Sequence, residues 1–183
     1  GIWATIQTTG MWHGELWSQR KNGEVYPEQI TITAVKDGTG QVTHHVAVLR
    51  DITERKRLEQ EVNQLAFFDT LTQLPNRRLF GDRLGQALKR AQRTSSSVAL
   101  MFVDLDKFKP INDTYGHEAG DFMLQTVAKR LMGCLRASDT AARVGGDEFL
   151  VLLPDIPSGP AALAVAEKIC AALAGPCTTP EGI

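Results

Sequence analysis

The chain has 183 residues, 43% of them hydrophobic, which is enough to bury the core of one or two domains and excludes a disordered or fibrous protein. Its formal net charge of −1 excludes a general basic field for nucleic acid or an anionic membrane, so any phosphate binding must be local. No apolar run approaches the roughly 20 residues of a membrane span. The cysteines, Cys134, Cys170 and Cys177, lack metal-ligand spacing and suit a reducing compartment. We therefore expect a cytoplasmic chain without nucleic-acid or membrane contact, although a longer parent could be membrane-anchored elsewhere.

The first third of the chain alternates short β-rich runs with turn signals. Asn22-Gly23 and Asp37-Gly38 lie between such runs, and these dipeptides are strong hairpin signals. The predicted strands cover residues 15–19, 25–35 and 42–49. This pattern predicts a three-stranded antiparallel meander.

Three stretches of this segment, Trp12-His13-Gly14-Glu15, residues 20–24 and Asp51-Ile52-Thr53-Glu54-Arg55-Lys56, resemble the C-terminal half of a PAS domain. The resemblance implies a sensory or interaction module whose signal and ligand are unknown. We do not expect a haem or flavin to be bound by this segment. Its histidines are expected to be exposed strand or turn residues: His13, His44 and His45.

A helix is predicted to follow, with Thr53 as its N-cap and Glu54 in its first turn. Leu58, Val62 and Leu65 form one heptad of apolar seam, whereas a coiled coil needs three or four, so a plain amphipathic connector remains open. We favour a short parallel dimer helix that transmits a change in packing.

The remainder predicts a compact α/β unit. The predicted elements, in order, are a helix from residue 76, a strand at 98–103 buried on both faces, a helix near 124–135, strands at 140–144 and 148–153, and a helix near 163–173. After the opening helix, the order β-α-β-β-α predicts a ferredoxin-like split βαβ fold that lacks its last strand. Residues 178–183 would lead into that strand, so we expect a fragment less stable than the whole domain.

Acidic residues are predicted to meet at one edge of this sheet. Gly145-Gly146 supplies the backbone freedom that a tight hairpin needs, and Asp147 and Glu148 follow it. Asp104 ends the neighbouring strand. Clustered carboxylates repel one another unless a cation binds them, and Mg²⁺ is typically held by one or two carboxylates plus substrate phosphates. Two solvated acidic turns are the alternative.

The polar loop at 107–121 is predicted to hold a nucleotide. Its backbone amides and Lys109 can cradle phosphates. Asn112 and Asp121 together offer the donors and acceptors that a guanine edge requires. His117 is expected to pack or hydrogen-bond locally.

Four motifs in chain order resemble those of the GGDEF diguanylate cyclase family. They are residues 69–78 (DTLTQLPNRR), 104–109 (DLDKFK), 112–117 (NDTYGH) and 145–149 (GGDEF). The resemblance implies a metal-dependent nucleotidyltransferase that is active as a homodimer. In that family two GTP molecules, one on each of two facing domains, are joined into cyclic di-GMP with loss of pyrophosphate.

The resemblance also implies roles for individual residues. Asp104, the carbonyl of Leu105 and Asp147 would hold Mg²⁺ or Mn²⁺, and Asp147 with Glu148 would be catalytic, Asp147 assisting deprotonation of the attacking hydroxyl. The implied substrate contacts are Asn112 and Asp121 at guanine, Phe108 and Lys109 at the phosphates, and His117.

Arg136 and Asp139 match the family's RxxD site for inhibition by the product, and Lys168 lies where some members place a completing arginine. Because lysine lacks a planar fork, tight feedback is not expected. Gln73 replaces a glycine usual in the family, which is harmless if its turn needs no positive φ.

We expect three segments: residues 1–53 as the PAS half, 54–66 as a linker helix and 67–183 as an incomplete GGDEF domain. The fragment itself would be weakly active or inactive. Two other functions remain open: a non-catalytic GGDEF domain that serves as a nucleotide receptor or regulates an attached phosphodiesterase domain, and a sensory dimerisation module only. The intact acidic signature favours the cyclase.

Overall fold

A computed structural model describes residues 1–177 and divides the chain into two compact units, Gly1–Val62 and Asn63–Ile183. The segment predicted to lead into a further strand, residues 178–183, lies outside the described residues. None of the described helices is both long enough and apolar enough to cross a membrane.

The first unit contains the predicted meander. Its elements are α1 (Ile2–Thr9), β1 (Met11–Gln19), β2 (Val25–Lys36) and β3 (Val42–Asp51), and the antiparallel sheet has the order β1-β2-β3. Helix α1 was not predicted, because its sequence is rich in β-branched and aromatic residues that favour helices weakly. Ile6, only 2% exposed, anchors it. Gly10, with φ +82°, ends it.

Helix α2 spans Thr53–Phe67 and begins where the sequence predicts. Thr53 is the first residue of the helix and not, as predicted, the cap before it, and its amide donates a hydrogen bond to the carboxylate of Asp51 at 2.9 Å. Hydrogen bonds from Thr53, assisted by Arg20, lower the pKa of Asp51 to about 2. A carboxylate that is ionised in this way suits the positive end of the helix dipole.

The second unit forms a three-stranded antiparallel sheet of order β4-β6-β5, with four helices among its described residues. Its elements are α3 (Arg77–Thr94), β4 (Ser97–Asp104), α4 (Phe108–Tyr115), α5 (His117–Cys134), β5 (Thr140–Gly145), β6 (Glu148–Ile156) and α6 (Gly159–Leu173). The mixed α/β fold with split βαβ connectivity is confirmed. The predicted polar loop is wrong, because most of it is helical: it forms α4 and the start of α5, separated by Gly116.

Helices cover both faces of the sheet. Helices α5 and α6 pack on the face that carries Phe149 and Val151, and α3 packs on the opposite face against Leu152. The prediction that β4 is buried on both faces is wrong, since Leu100 and Phe102 are 54% and 61% exposed. Among the described residues β4 is an edge strand, paired with β6 alone.

Candidate active site at the glycine hairpin

The hairpin between β5 and β6 presents a two-residue tip. Gly145 pairs with Glu148, which leaves Gly146 and Asp147 at the turn. The φ angles of Gly145 and Gly146 are +152° and +52°. A Cβ at either position would meet no atom within 4 Å. The glycines are therefore required by the backbone conformation and not by crowding.

Strand register brings the two acidic segments to the same edge of the sheet. Asp104, the last residue of β4, pairs with Glu148, the first residue of β6, and Asp147 directly precedes it. Asp104 is exposed, while Asp147 and Glu148 are half-buried. Glu148 lies 4.0 Å from the exposed Arg77 guanidinium.

The carboxylate and carbonyl oxygens at this edge are the type of ligand that a hard divalent cation prefers. Residues 1–177 contain no group of three or more acidic, histidine or cysteine side chains placed to hold a metal. Two carboxylates, those of Asp104 and Asp147, plus the Leu105 carbonyl are nevertheless the kind of set that Mg²⁺ completes with substrate phosphates. The Leu105 carbonyl accepts a hydrogen bond from the Phe108 amide at 3.3 Å, and a carbonyl oxygen keeps a second lone pair for another partner.

Helices α4 and α5 bring together the residues that the sequence assigns to guanine. Asn112 lies on α4 and is half-buried, and its side chain reaches Gly120 on α5, next to the exposed Asp121. Neither side chain hydrogen-bonds to another described residue. His117 is expected from the sequence to pack or hydrogen-bond locally. As the first residue of α5 it is exposed, and its side chain forms no hydrogen bond with any residue of the described range.

Phe108 and Lys109 open helix α4 immediately after the acidic end of β4. Lys107 makes this sharp change of direction possible, with φ +61°. Phe108 is half-buried and packs towards Gly120, whereas Lys109 is exposed. The first turn of α4 thus lies close in sequence to Asp104. Its amide and ammonium groups that remain for a phosphate are those of Lys109, because the other amides of the turn donate to backbone carbonyls or, at Pro110, have no N–H.

An arginine that the sequence reasoning did not assign holds the hairpin tip. The Nε and Nη2 atoms of Arg143 donate to the carbonyl of Gly146 at 2.9 and 2.7 Å. Its Nη1 atom donates to both carboxylate oxygens of Asp69, at 3.1 and 3.2 Å. The Arg143 amide also donates to the Pro75 carbonyl. These bonds connect the signature turn to the turn at residues 69–76.

The turn at 69–76 is itself tightly hydrogen-bonded. The amide and hydroxyl of Thr72 donate to Asp69 at 2.8 and 2.6 Å. Burial opposes ionisation of Asp69, but the bonds from Thr72 and Arg143 outweigh it and lower the pKa of Asp69 below its ordinary value. The condition under which Gln73 would be harmless is not met, because its φ is +59°, in the left-handed region that glycine adopts without cost.

The residues of the expected inhibitory site make contacts within the protein. Arg136 donates to Asp139 at 2.8 Å and to the Pro154 carbonyl at 2.6 Å. Lys168 donates to the carbonyl of Cys134, the last residue of α5, at 3.0 Å. Arg136 and Asp139 are therefore paired, and Lys168 is bonded to the adjacent helix end.

Comparison with known proteins identifies the family of the chain. The family profile described as "Diguanylate cyclase, GGDEF domain" matches residues 66–181, and a PAS domain profile matches residues 2–54. The chain belongs to the GGDEF family, and its GGDEF domain is preceded by a PAS match.

Individual relatives are similar over much of the chain. Diguanylate cyclase TpbB from Pseudomonas aeruginosa is 46% identical over 129 residues, which are 69% of this chain and 30% of that protein. The solved GGDEF domain of TpbB matches with a TM-score of 0.62 and 46% identity, covering 63% of this chain and 67% of that one. The coiled coil and GGDEF domain of DgcB from Caulobacter crescentus, in complex with c-di-GMP, matches with a TM-score of 0.57 and 33% identity, covering 63% and 62%. The chain thus spans about 30% of the length of the curated relative TpbB.

Proposed function

We propose that the protein is a sensor-linked diguanylate cyclase that condenses two GTP molecules into cyclic di-GMP and releases two pyrophosphates. In each half of the reaction a 3′-hydroxyl oxygen bonds to the α-phosphorus of the other GTP, and the bond from that phosphorus to the pyrophosphate oxygen breaks. The observation that carries this proposal is the register of Asp104 against Glu148, which joins the two acidic motifs at the glycine hairpin.

Each residue of the site has a proposed role. Asp104, Asp147 and the Leu105 carbonyl would hold Mg²⁺ or Mn²⁺, which when bound neutralises triphosphate charge. Asn112 and Asp121 would read guanine, because their free polar groups lie on adjoining helices. The amide and the ammonium of Lys109, at the start of α4, would bind phosphate, and Phe108 would shape the pocket. The proton of the attacking hydroxyl would pass to Asp147 or to water, with Glu148 beside it.

The reaction requires two nucleotides, so we propose a homodimer in which each GGDEF domain carries one GTP. The apolar stripe of α2 supports this, since Leu58, Val62 and Leu65 are 48%, 63% and 66% exposed. Helix α2 has no buried residue.

We further propose that the segments are a PAS half at 1–53, a linker helix at 54–66 and the GGDEF domain from residue 67. The PAS half would bias the pairing of α2.

Product binding at Arg136, Asp139 and Lys168 is proposed as feedback. The similar DgcB structure contains c-di-GMP. Here Arg136 keeps part of its guanidinium free and is 52% exposed. Lys168 contributes a single ammonium group that is already bonded to a helix end, so the feedback would be weak.

The test is to incubate the full-length protein with GTP and Mg²⁺ and to measure cyclic di-GMP and pyrophosphate. We expect product from the wild type and none from Asp147→Asn, with Asp82→Asn, an exposed acid on α3, as the matched control that keeps activity. A folded, dimeric wild type that makes no product but binds cyclic di-GMP would instead identify a receptor. Activity in Asp147→Asn would show that the metal assignment is wrong.

A further inference from the structure

Gly120 lies in a more crowded position than the other glycine of its helix. It is buried in α5, and a Cβ at this position would lie 2.0 Å from Oδ1 and 2.9 Å from Cγ of Asn112. The same Cβ would lie 3.2 Å from Cζ of Phe108. Gly133, near the other end of α5, would place a Cβ with no atom within 4 Å.

Backbone conformation does not explain the glycine at 120. Gly120 does not have a positive φ, and it lies within a helix, where glycine is less favourable than alanine. The space that a Cβ would fill is instead occupied by the Asn112 side chain. Gly120 is therefore needed for the close approach of Asn112 and Phe108, and both are residues that the proposed function assigns to the substrate.

We propose that Gly120 is a positioning residue for guanine recognition, which acts by letting the Asn112 amide lie against the backbone of α5 beside Asp121. The inference rests on the proposed function and deepens it. A Cβ at position 120 would clash with the end of the Asn112 side chain, which is hydrogen-bonded to no other described residue. The Asn112 side chain can therefore rotate away without moving the helices, so the substitution weakens guanine binding and leaves the stability of the fold unchanged.

The experiment compares nucleotide binding in the full-length protein by calorimetry. The probes are 3′-deoxy-GTP and 3′-deoxy-ATP, which cannot be condensed, in the presence of Mg²⁺. For Gly120→Ala we expect the Kd of 3′-deoxy-GTP to rise about tenfold, the effect of losing one positioned hydrogen bond. The Kd of 3′-deoxy-ATP should stay the same, because the triphosphate contacts are intact, so the preference for guanine falls by the same factor. Gly133→Ala is the matched control and should change neither constant.

A double-mutant cycle shows whether Gly120 acts through Asn112. Asn112→Ala should lose the same preference, and adding Gly120→Ala to it should cost nothing further. An unchanged guanine preference in Gly120→Ala, or a further loss on top of Asn112→Ala, would overturn the inference. If Gly120→Ala lowers the melting temperature, Asn112→Ala must restore it; failure to do so also overturns it. A wild type without guanine preference would refute the proposed function before any variant is compared.

Discussion

Replacing Arg143 with alanine removes the bonds that join the signature turn to the turn at residues 69–76. The Arg143 side chain is 13% exposed, and that of Asp69 is 22% exposed. The replacement would leave the Gly146 carbonyl and the Asp69 carboxylate without the four hydrogen bonds that the guanidinium donates. Breaking a buried pair costs about 3–5 kcal/mol, and we expect about 3 kcal/mol, the low end, because Asp69 keeps its bonds from Thr72.

A loss of this size should lower the melting temperature of the second unit by roughly 10 °C. Differential scanning calorimetry measures it. Arg90→Ala is the matched control, because its ion pair with Asp155 is at the surface, with Arg90 64% exposed, and surface pairs contribute about 0–1 kcal/mol. Below the transition, Arg143→Ala should also form less cyclic di-GMP, since the carbonyl that fixes the tip is released.

A double-mutant cycle with Asp69→Ala separates this pair from general packing. We expect a coupling energy of about 1 kcal/mol or more between the two positions. Melting of Arg143→Ala at the wild-type temperature, or a coupling near zero, would refute the reasoning that this guanidinium connects the two turns.

Three further results are expected. Gln73→Gly and Gln73→Ala both lose the 2.8 Å side-chain bond to the Thr70 carbonyl, but only glycine relieves the strain of φ +59°. Gln73→Gly should therefore have a free energy of unfolding about 1 kcal/mol higher than Gln73→Ala in chemical denaturation, and equal stability of the two variants would contradict this. The stabilisation from the lowered pKa of Asp69 is present above the ordinary carboxyl value of 3.8 and is lost as pH falls through the lower folded value. Between pH 6 and pH 2 the free energy of unfolding should therefore fall less in Asp69→Asn than in the wild type, as measured by unfolding curves. Arg136→Gln can still donate to the Asp139 carboxylate but lacks the charged guanidinium, so it should keep turnover and need more added cyclic di-GMP for inhibition. If added cyclic di-GMP lowers the initial rates of the wild type and of Arg136→Gln equally, Arg136 is not part of the feedback site.

Local signals in the sequence determined most of the elements. Asn22-Gly23 and Asp37-Gly38 set the ends of the first three strands, because turn dipeptides act within a few residues. Gly145-Gly146 predicted the hairpin for the same reason, and its φ angles require glycine. The motif order identified the family before any geometry was known.

Tertiary structure alone decided the contacts between distant residues. Arg143 and Asp69 are 74 positions apart, and no periodicity connects them. The left-handed conformation of Gln73 is set by its surroundings, so the sequence could supply only the condition, a positive φ, and the structure shows that it is met. The clash that excludes a Cβ at Gly120 depends on how α4 packs on α5. Backbone propensity and alternation are properties of a short segment, whereas packing space and ion pairs exist only once distant segments meet. For this reason the sequence predicts the hairpin, and the structure adds the Arg143 contacts that stabilise it.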